Sequence, residues 1–357
     1  MPAQRVLRLL PITDFLWRAK GCCETLALSP DGVREDGHVP VARFFDLSAS
    51  AGAGCYVAEL IDGKVIGEAK LVATADDWVL GDLQFLYGAA DPTQHWLLKQ
   101  RRFRLPKRLQ ASVAMVAGSN GDNYYHWLFD SLPRLHLLQL AGYDLEDLDY
   151  FVLNAARPAF QVQTLAYLGI SVAKLIYTSK RELLECGRLV VPSMPGLVGY
   201  PPAWVCGWLR RTFLATPYPV STRKIYISRA HAQGRQVVNE SAILPMLAEF
   251  GFEVVHAEHL SFAQQVELFS SARQIVAVHG AGMSNIVFAP PEAEVLELCS
   301  PIHGNDCFST LAANGDLRYD SLVLDLPNAD VAGQDSRFGN LLIQPEALRR
   351  KLEQFAR

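Results

Sequence analysis

From Lys224 to Cys299 the chain alternates between short apolar runs and amphipathic segments, and this constrains its fold more than any other feature. "KIYIS" (224–228), "FEVVHAE" (252–258), "RQIVAVHG" (273–280) and "AEVLELC" (293–299) read as strands. Between them "NESAILPMLAEFG" (239–251) and "SFAQQVELFSSA" (261–272) read as helices. The first has Asn239 as N-cap and Gly251 past its end. The second is opened by a Ser261/Gln264 capping box. Strands joined through helices lie parallel, with both faces of the sheet covered.

A similar alternation begins near Ser112. "YFVLN" (150–154), "KLIYTS" (174–179) and "GRLVVPS" (187–193) are strands. "AFQVQTLAYLG" (159–169) and "PAWVCGWLRRTFLA" (202–215) are helical. A proline-bearing linker, "TPYP" at 216–219, divides the two runs. Before Ala90 the pattern is one of short strands, with an Asp62-Gly63 hairpin turn inside "CYVAELIDGKVIGEAKLVAT". The reading is therefore α/β: two Rossmann-like domains facing a cleft, 96–215 and 216–357, behind a β-rich N-terminal extension over 1–95.

Composition narrows the function. With half of its residues hydrophobic and a net charge of −4, the chain does not suit general nucleic-acid binding, so a basic cluster in it should be a local site. The seven cysteines are scattered without metal-like spacing and read as buried free thiols of a reducing compartment. The first twenty residues lack a continuous apolar core, and no run of apolar residues is long enough to span a membrane. A cytoplasmic protein is expected. The basic run "KQRRFRLPKR" (99–108) reads by default as a solvated linker, with contact to the inner membrane's surface or to a polyanionic acceptor as the alternative.

Three constellations carry chemistry. In "SRAHAQGRQVVNE" Arg229 and Arg235 follow a strand, and Asn239-Glu240 starts the next helix. Fixed guanidinium forks beside a helix N-terminus suit a diphosphate, against the alternative of a solvated basic loop. In "VHGAGMSN" a strand runs into His279, Gly280, Ala281 and Gly282, then Ser284 and Asn285. Small residues let the backbone approach an anion, although His279 read alone is equally a core histidine. Glu297, a charge inside the apolar "VLELC", is either satisfied by a buried partner or turned to a sugar hydroxyl.

In "SNGDNYYHWLFDSLPRLHLL" Asn123, His126, Asp130 and Arg134 fall at three- and four-residue spacing on one helix side. Leu128, Leu132 and Leu135 take the other side, and Pro133 should kink the helix. His126 and Asp130 can act as base and orienting carboxylate, against a cap and a surface ion pair. Asp147-x-Asp149 sits in an acidic turn and reads as a solvated loop rather than a metal site.

Together and in this order, these motifs resemble glycosyltransferase family 61, which includes bacterial capsular-polysaccharide biosynthesis proteins. The matching parts are Asn123–Arg134, Tyr226–Glu240, His259–Gln265, Val278–Asn285 and Val295–Leu298. The resemblance implies a GT-B architecture and an inverting transfer from a nucleotide-sugar donor, commonly UDP-linked, to a glycan or lipid-linked glycan hydroxyl. The donor is a co-substrate, and neither cofactor nor metal ion is expected. It assigns catalysis to His126 and Asp130. Donor binding falls to Asn123, Arg229, Arg235, Asn239, Glu240, His279, Gly280, Ala281, Gly282, Ser284, Asn285 and Glu297. A non-catalytic nucleotide-binding scaffold of a polysaccharide assembly system is the alternative.

Overall fold

The computed structural model describes residues 8–10, 43–52, 54–67, 71–80, 105–118, 120–179, 182–215, 218–302, 305–327 and 339–355. The chain divides into two units, Met1–Val198 and Gly199–Arg357, each with its own sheet.

The first sheet contains β1 (Arg8–Leu10), β2 (Arg43–Asp46), β3 (Tyr56–Ile66), β4 (Leu71–Ala73), β5 (Trp78–Leu80), β6 (Lys107–Met115), β7 (Tyr150–Leu153), β8 (Leu175–Tyr177) and β9 (Leu183–Pro192). Their order is β1-β5-β4-β3-β9-β6-β7-β8, with β2 also paired to β3. The half from β9 to β8 is parallel, whereas β3 pairs antiparallel with β2, β4 and β9. Two expectations change here. The early strands are not a separate extension, because the long β3–β9 ladder builds them into the same sheet. The sheet is accordingly mixed rather than parallel throughout.

The Asp62-Gly63 hairpin does not form. β3 runs straight through both residues, and its register with β9 is the same on either side, Ile61 opposite Arg188 and Gly63 opposite Cys186. Asp62 alone takes a left-handed φ of 50°. A partner strand more than a hundred residues away outweighs the local turn preference, because it pairs almost the whole length of β3 and buries Leu60, Val65 and Leu189 in one core.

The second sheet is parallel throughout. Its strands are β10 (Arg223–Ile227), β11 (Glu253–Val255), β12 (Ala272–Val278), β13 (Glu294–Cys299) and β14 (Arg318–Val323), in the order β11-β10-β12-β13-β14. The chain moves outward from β10 to β11, then crosses back past β10 to β12. Strand order reverses between β10 and β12, and in open α/β sheets the carboxyl ends at such a reversal form the ligand crevice.

Seven helices matter for this arrangement: α1 (Arg134–Leu140), α2 (Ala159–Tyr167), α3 (Ala203–Phe213), α4 (Glu240–Glu249), α5 (Phe262–Ser270), α6 (Cys307–Ala313) and α7 (Pro345–Phe355). Ile243 and Leu247 of α4, with Leu348 and Leu352 of α7, pack on Tyr226, Val276 and Leu296 of the strands. The capping box of α5 forms as read. Helix α3 lies in the second unit, on the other side of the division from where the 215/216 boundary put it. Phe213 packs edge-on against Phe262 at 4.9 Å, and Arg210 donates to the Val287 carbonyl at 2.6 Å. These contacts outweigh the proline linker as a boundary signal.

The described cysteines, Cys55, Cys186, Cys206, Cys299 and Cys307, are free. Burial pushes the Cys186 thiol up to about 12 and Cys206 up to about 11. Among the described residues no helix is long and apolar enough to cross a membrane. Most of the basic run, 99–104, lies outside the described residues, and Arg108 at its end pairs with Glu185 at 2.8 Å.

Candidate functional site

In the first unit the site is a distorted helix. Asn123 caps it, its side-chain oxygen accepting from the Tyr125 N–H at 2.9 Å. A regular turn over Tyr124–His126 passes into a π turn over Trp127–Ser131, and α1 resumes at Arg134. Pro133 explains the widening: it has no N–H to return to the carbonyl four residues back, so the expected kink takes this form. Leu128, Leu132 and Leu135 are fully buried, as their spacing required.

The polar side of that helix is enclosed too. His126 Nδ1 lies 2.6 Å from Asp130 Oδ2, with side chains 17% and 12% exposed, which excludes a simple surface ion pair. Arg134, one turn on, is completely buried and donates to the Ala117 carbonyl at 3.0 Å. Burial lowers its guanidinium to about 10, and the charge of Asp130 acts in the opposite sense. Asp130 therefore stands between an imidazole and a buried cation. Because Nδ1 is engaged, Nε2 is the ring nitrogen left to meet a substrate.

In the second unit the site lies at the strand-order reversal. After β10, Arg229 folds back and donates to the Gly234 carbonyl at 2.8 Å, closing the loop. Its guanidinium also lies over the turn that follows β12: a Cβ on Gly280 would stand 2.1 Å from Arg229 Nη1. Glycine is needed at 280 to seat the arginine, not to free the backbone, whose φ of 171° is ordinary extended chain. Burial first, then the neighbouring positive charge of Arg235, lowers Arg229 to about 10, while Glu258 opposes. Two like charges held together in a half-buried loop make a place for an anion. A 3-10 turn over Ala281–Phe288 starts at Gly280, against which Arg229 lies, and the free N–H groups at the start of a helical turn favour an anion.

Other expected donor residues turn inward. Glu240 Oε1 accepts from Tyr226 and from Ser228, both at 2.8 Å, which ties the first turn of α4 to β10. Asn239 stands at the N-cap position without capping; its amide instead grips the Ile343 backbone, at 2.7 and 3.0 Å. Asn285 is buried and donates to Gln265 of α5 at 2.7 Å and to the Gly282 carbonyl at 3.1 Å. Ser284 is buried as well. Of the two readings of Glu297, the structure shows the first: its carboxylate bonds His279 Nδ1 on one oxygen and the Tyr319 hydroxyl on the other. His279 and Glu297 are 6% and 3% exposed, and Phe308 of α6 covers the imidazole edge-on. Burial and Glu297 push the Tyr319 phenol well above its ordinary range.

Arg229, Arg235 and the turn Gly280–Gly282 thus lie together at the strand-order reversal, while Asn239, Glu240, Asn285, His279 and Glu297 spend their polar atoms on hydrogen bonds within the protein. Asn123 belongs to the first unit with His126 and Asp130. Tyr319, Gln265 and the Ile343 backbone were not foreseen as part of this framework. Gln265 lay inside a quoted motif, but a lone tyrosine in "RYDSLV" and an apolar "LLI" give no sign of their partners. Asp149 of the Asp-x-Asp turn accepts from the N–H and hydroxyl of Ser112, at 2.8 and 2.7 Å, which lowers its carboxyl; it fastens a loop to β6.

A parallel α/β unit with paired arginines and a glycine turn at its strand-order reversal is of the class that receives phosphate-bearing ligands. Residues 124–296 match the family model described as Glycosyltransferase 61. A curated relative, the EGF domain-specific O-linked N-acetylglucosamine transferase of Drosophila melanogaster, is 33% identical over 112 residues. The alignment covers 30% of this chain and 21% of that protein, so the chain spans about a fifth of the relative's length.

Proposed function

We propose that the protein is an inverting glycosyltransferase that moves a sugar from a nucleoside-diphosphate donor, most simply a UDP-sugar, to a glycan hydroxyl. The supporting observation is the juxtaposition of Arg229 and Arg235 at the strand-order reversal, within the family 61 stretch. The division of labour is of GT-B type: the second unit holds the donor, and the first supplies the base. As the bond between the anomeric carbon and the diphosphate oxygen breaks, its electron pair goes to the leaving group. The two guanidinium groups and the N–H groups of the 281–288 turn stabilise that charge. The acceptor oxygen forms the new bond from the opposite face, and its proton passes to His126 Nε2. Asp130 holds the tautomer through Nδ1.

Fixed cations perform the leaving-group role that a metal serves elsewhere, so we propose a metal-independent transfer. Capsule-type polysaccharide biosynthesis in the cytoplasm, on a lipid-linked acceptor at the membrane face, is the setting that the resemblance to bacterial members suggests. The test is calorimetric titration of the purified chain with UDP and other nucleoside diphosphates, followed by product analysis with the sugar donor that binds. A chain that binds nucleotide but leaves donor and acceptor unchanged is the scaffold alternative; one that binds none overturns both readings.

A further inference from the structure

Beside the arginine loop three histidines converge. His231 rides on the loop after β10, while His256 precedes and His259 ends the short turn Ala257–His259 after β11. Strands β10 and β11 are parallel neighbours with Ile227 opposite Val255, so the two segments leave the sheet side by side. The ring centroids stand 4.9 Å (His231–His256), 5.3 Å (His231–His259) and 5.7 Å (His256–His259) apart. Three imidazoles on one tetrahedral zinc, with Zn–N near 2.0–2.1 Å, would place their centroids ~5.2 Å apart.

A carboxylate completes the set. His231, His256 and Glu258 each offer a ligand atom, and these atoms lie within 4.8 Å of one another. His256 Nδ1 is buried and makes no hydrogen bond among the described residues. Glu258 Oε1 stands 3.9 Å from it, too long for a hydrogen bond and close to the ~3.4 Å between two ligands of one tetrahedral zinc.

We propose that His231, His256 and Glu258 form a zinc site, with the His259 ring packed beside it. Nitrogen-rich donors of this kind select a borderline transition ion over Mg²⁺ or Ca²⁺. Closure requires only small side-chain adjustments, since His231 and Glu258 are both exposed. The site is separate from the glycosyl-transfer reading, because zinc can fail to bind while nucleotide binding persists, and the reverse.

The experiment uses the full chain, stripped with EDTA and desalted, then titrated with Zn²⁺ in competition with a chromophoric chelator. One equivalent should bind, with an affinity ~100-fold weaker in His256→Ala and in His231→Ala. Co²⁺ in place of Zn²⁺ should give visible d–d absorption in the native chain and lose it in both variants. His231 is exposed on a loop, so its variant should keep the native circular-dichroism spectrum and serves if His256→Ala misfolds. Zinc bound no more tightly by the native chain than by His231→Ala, or a native chain without cobalt d–d bands, overturns the site.

Discussion

Among the described residues, two hydrogen-bonded histidine–carboxylate pairs differ in what they can do. His126–Asp130 lies on a π turn, with both side chains part-exposed and Nε2 of the imidazole available. His279–Glu297 is almost sealed: Tyr319 takes the second carboxylate oxygen and Phe308 covers the ring. The arginines differ in the same way. Arg134 is wholly buried, with Asp130 as a countercharge, whereas Arg229 is pressed against a like charge. A pair with all of its bonding capacity used holds a fold together; a pair with one nitrogen to spare can move a proton. What separates them is access, not residue type.

The strongest way to break this contrast is to remove the accessible pair. His126→Ala should lower kcat by roughly 10²–10⁴-fold, the usual worth of a positioned base, with donor affinity and melting temperature nearly unchanged. Asp130→Asn should lower kcat comparably and also the melting temperature, because Arg134 loses its countercharge. The double variant should be little slower than the slower single one if the two act as a unit. Native turnover from a folded His126→Ala chain would make this helix a packing element.

The sealed pair should respond in the opposite sense. Glu297→Ala leaves a buried imidazole and a phenol without their common partner, so unfolding by urea should show a loss of about 3 kcal/mol. Glu297→Gln should cost less. A variant of native stability that has lost catalysis would mean that Glu297 meets substrate after all.

At the arginine loop a smaller effect is expected. Arg235→Ala should weaken nucleoside-diphosphate binding by about 1.5–3 kcal/mol, read by calorimetry, with only partial rescue in Arg235→Lys. Gly280→Ala should imitate Arg229→Ala, since the added methyl occupies the guanidinium's place. The Gly280→Ala/Arg229→Ala double variant should bind no worse than the weaker single one.

The smallest expected effect is none. Turnover should persist in EDTA without stimulation by Mg²⁺ or Mn²⁺ if, as proposed, fixed guanidinium groups neutralise the leaving diphosphate. Loss of activity restored by either ion would move the charge-neutralising role away from the arginines.

Much of this was legible in the residues themselves because it depends on short-range patterns. Strand and helix alternation located β10 to β13, the capping box located the start of α5, and four-residue spacing brought His126 to Asp130. What the sequence could not decide was who meets whom across long intervals. The β3–β9 ladder cancelled a local turn signal, and a hydroxyl from β14 closed off Glu297. The backbone at Ile343 claimed Asn239, and the missing side chain of Gly280 makes room for Arg229. A side chain's type states what it can bond. Whether any bonding capacity remains for a substrate depends on neighbours that only the packed chain supplies, because a buried polar group must find its partner wherever the fold brings one within reach.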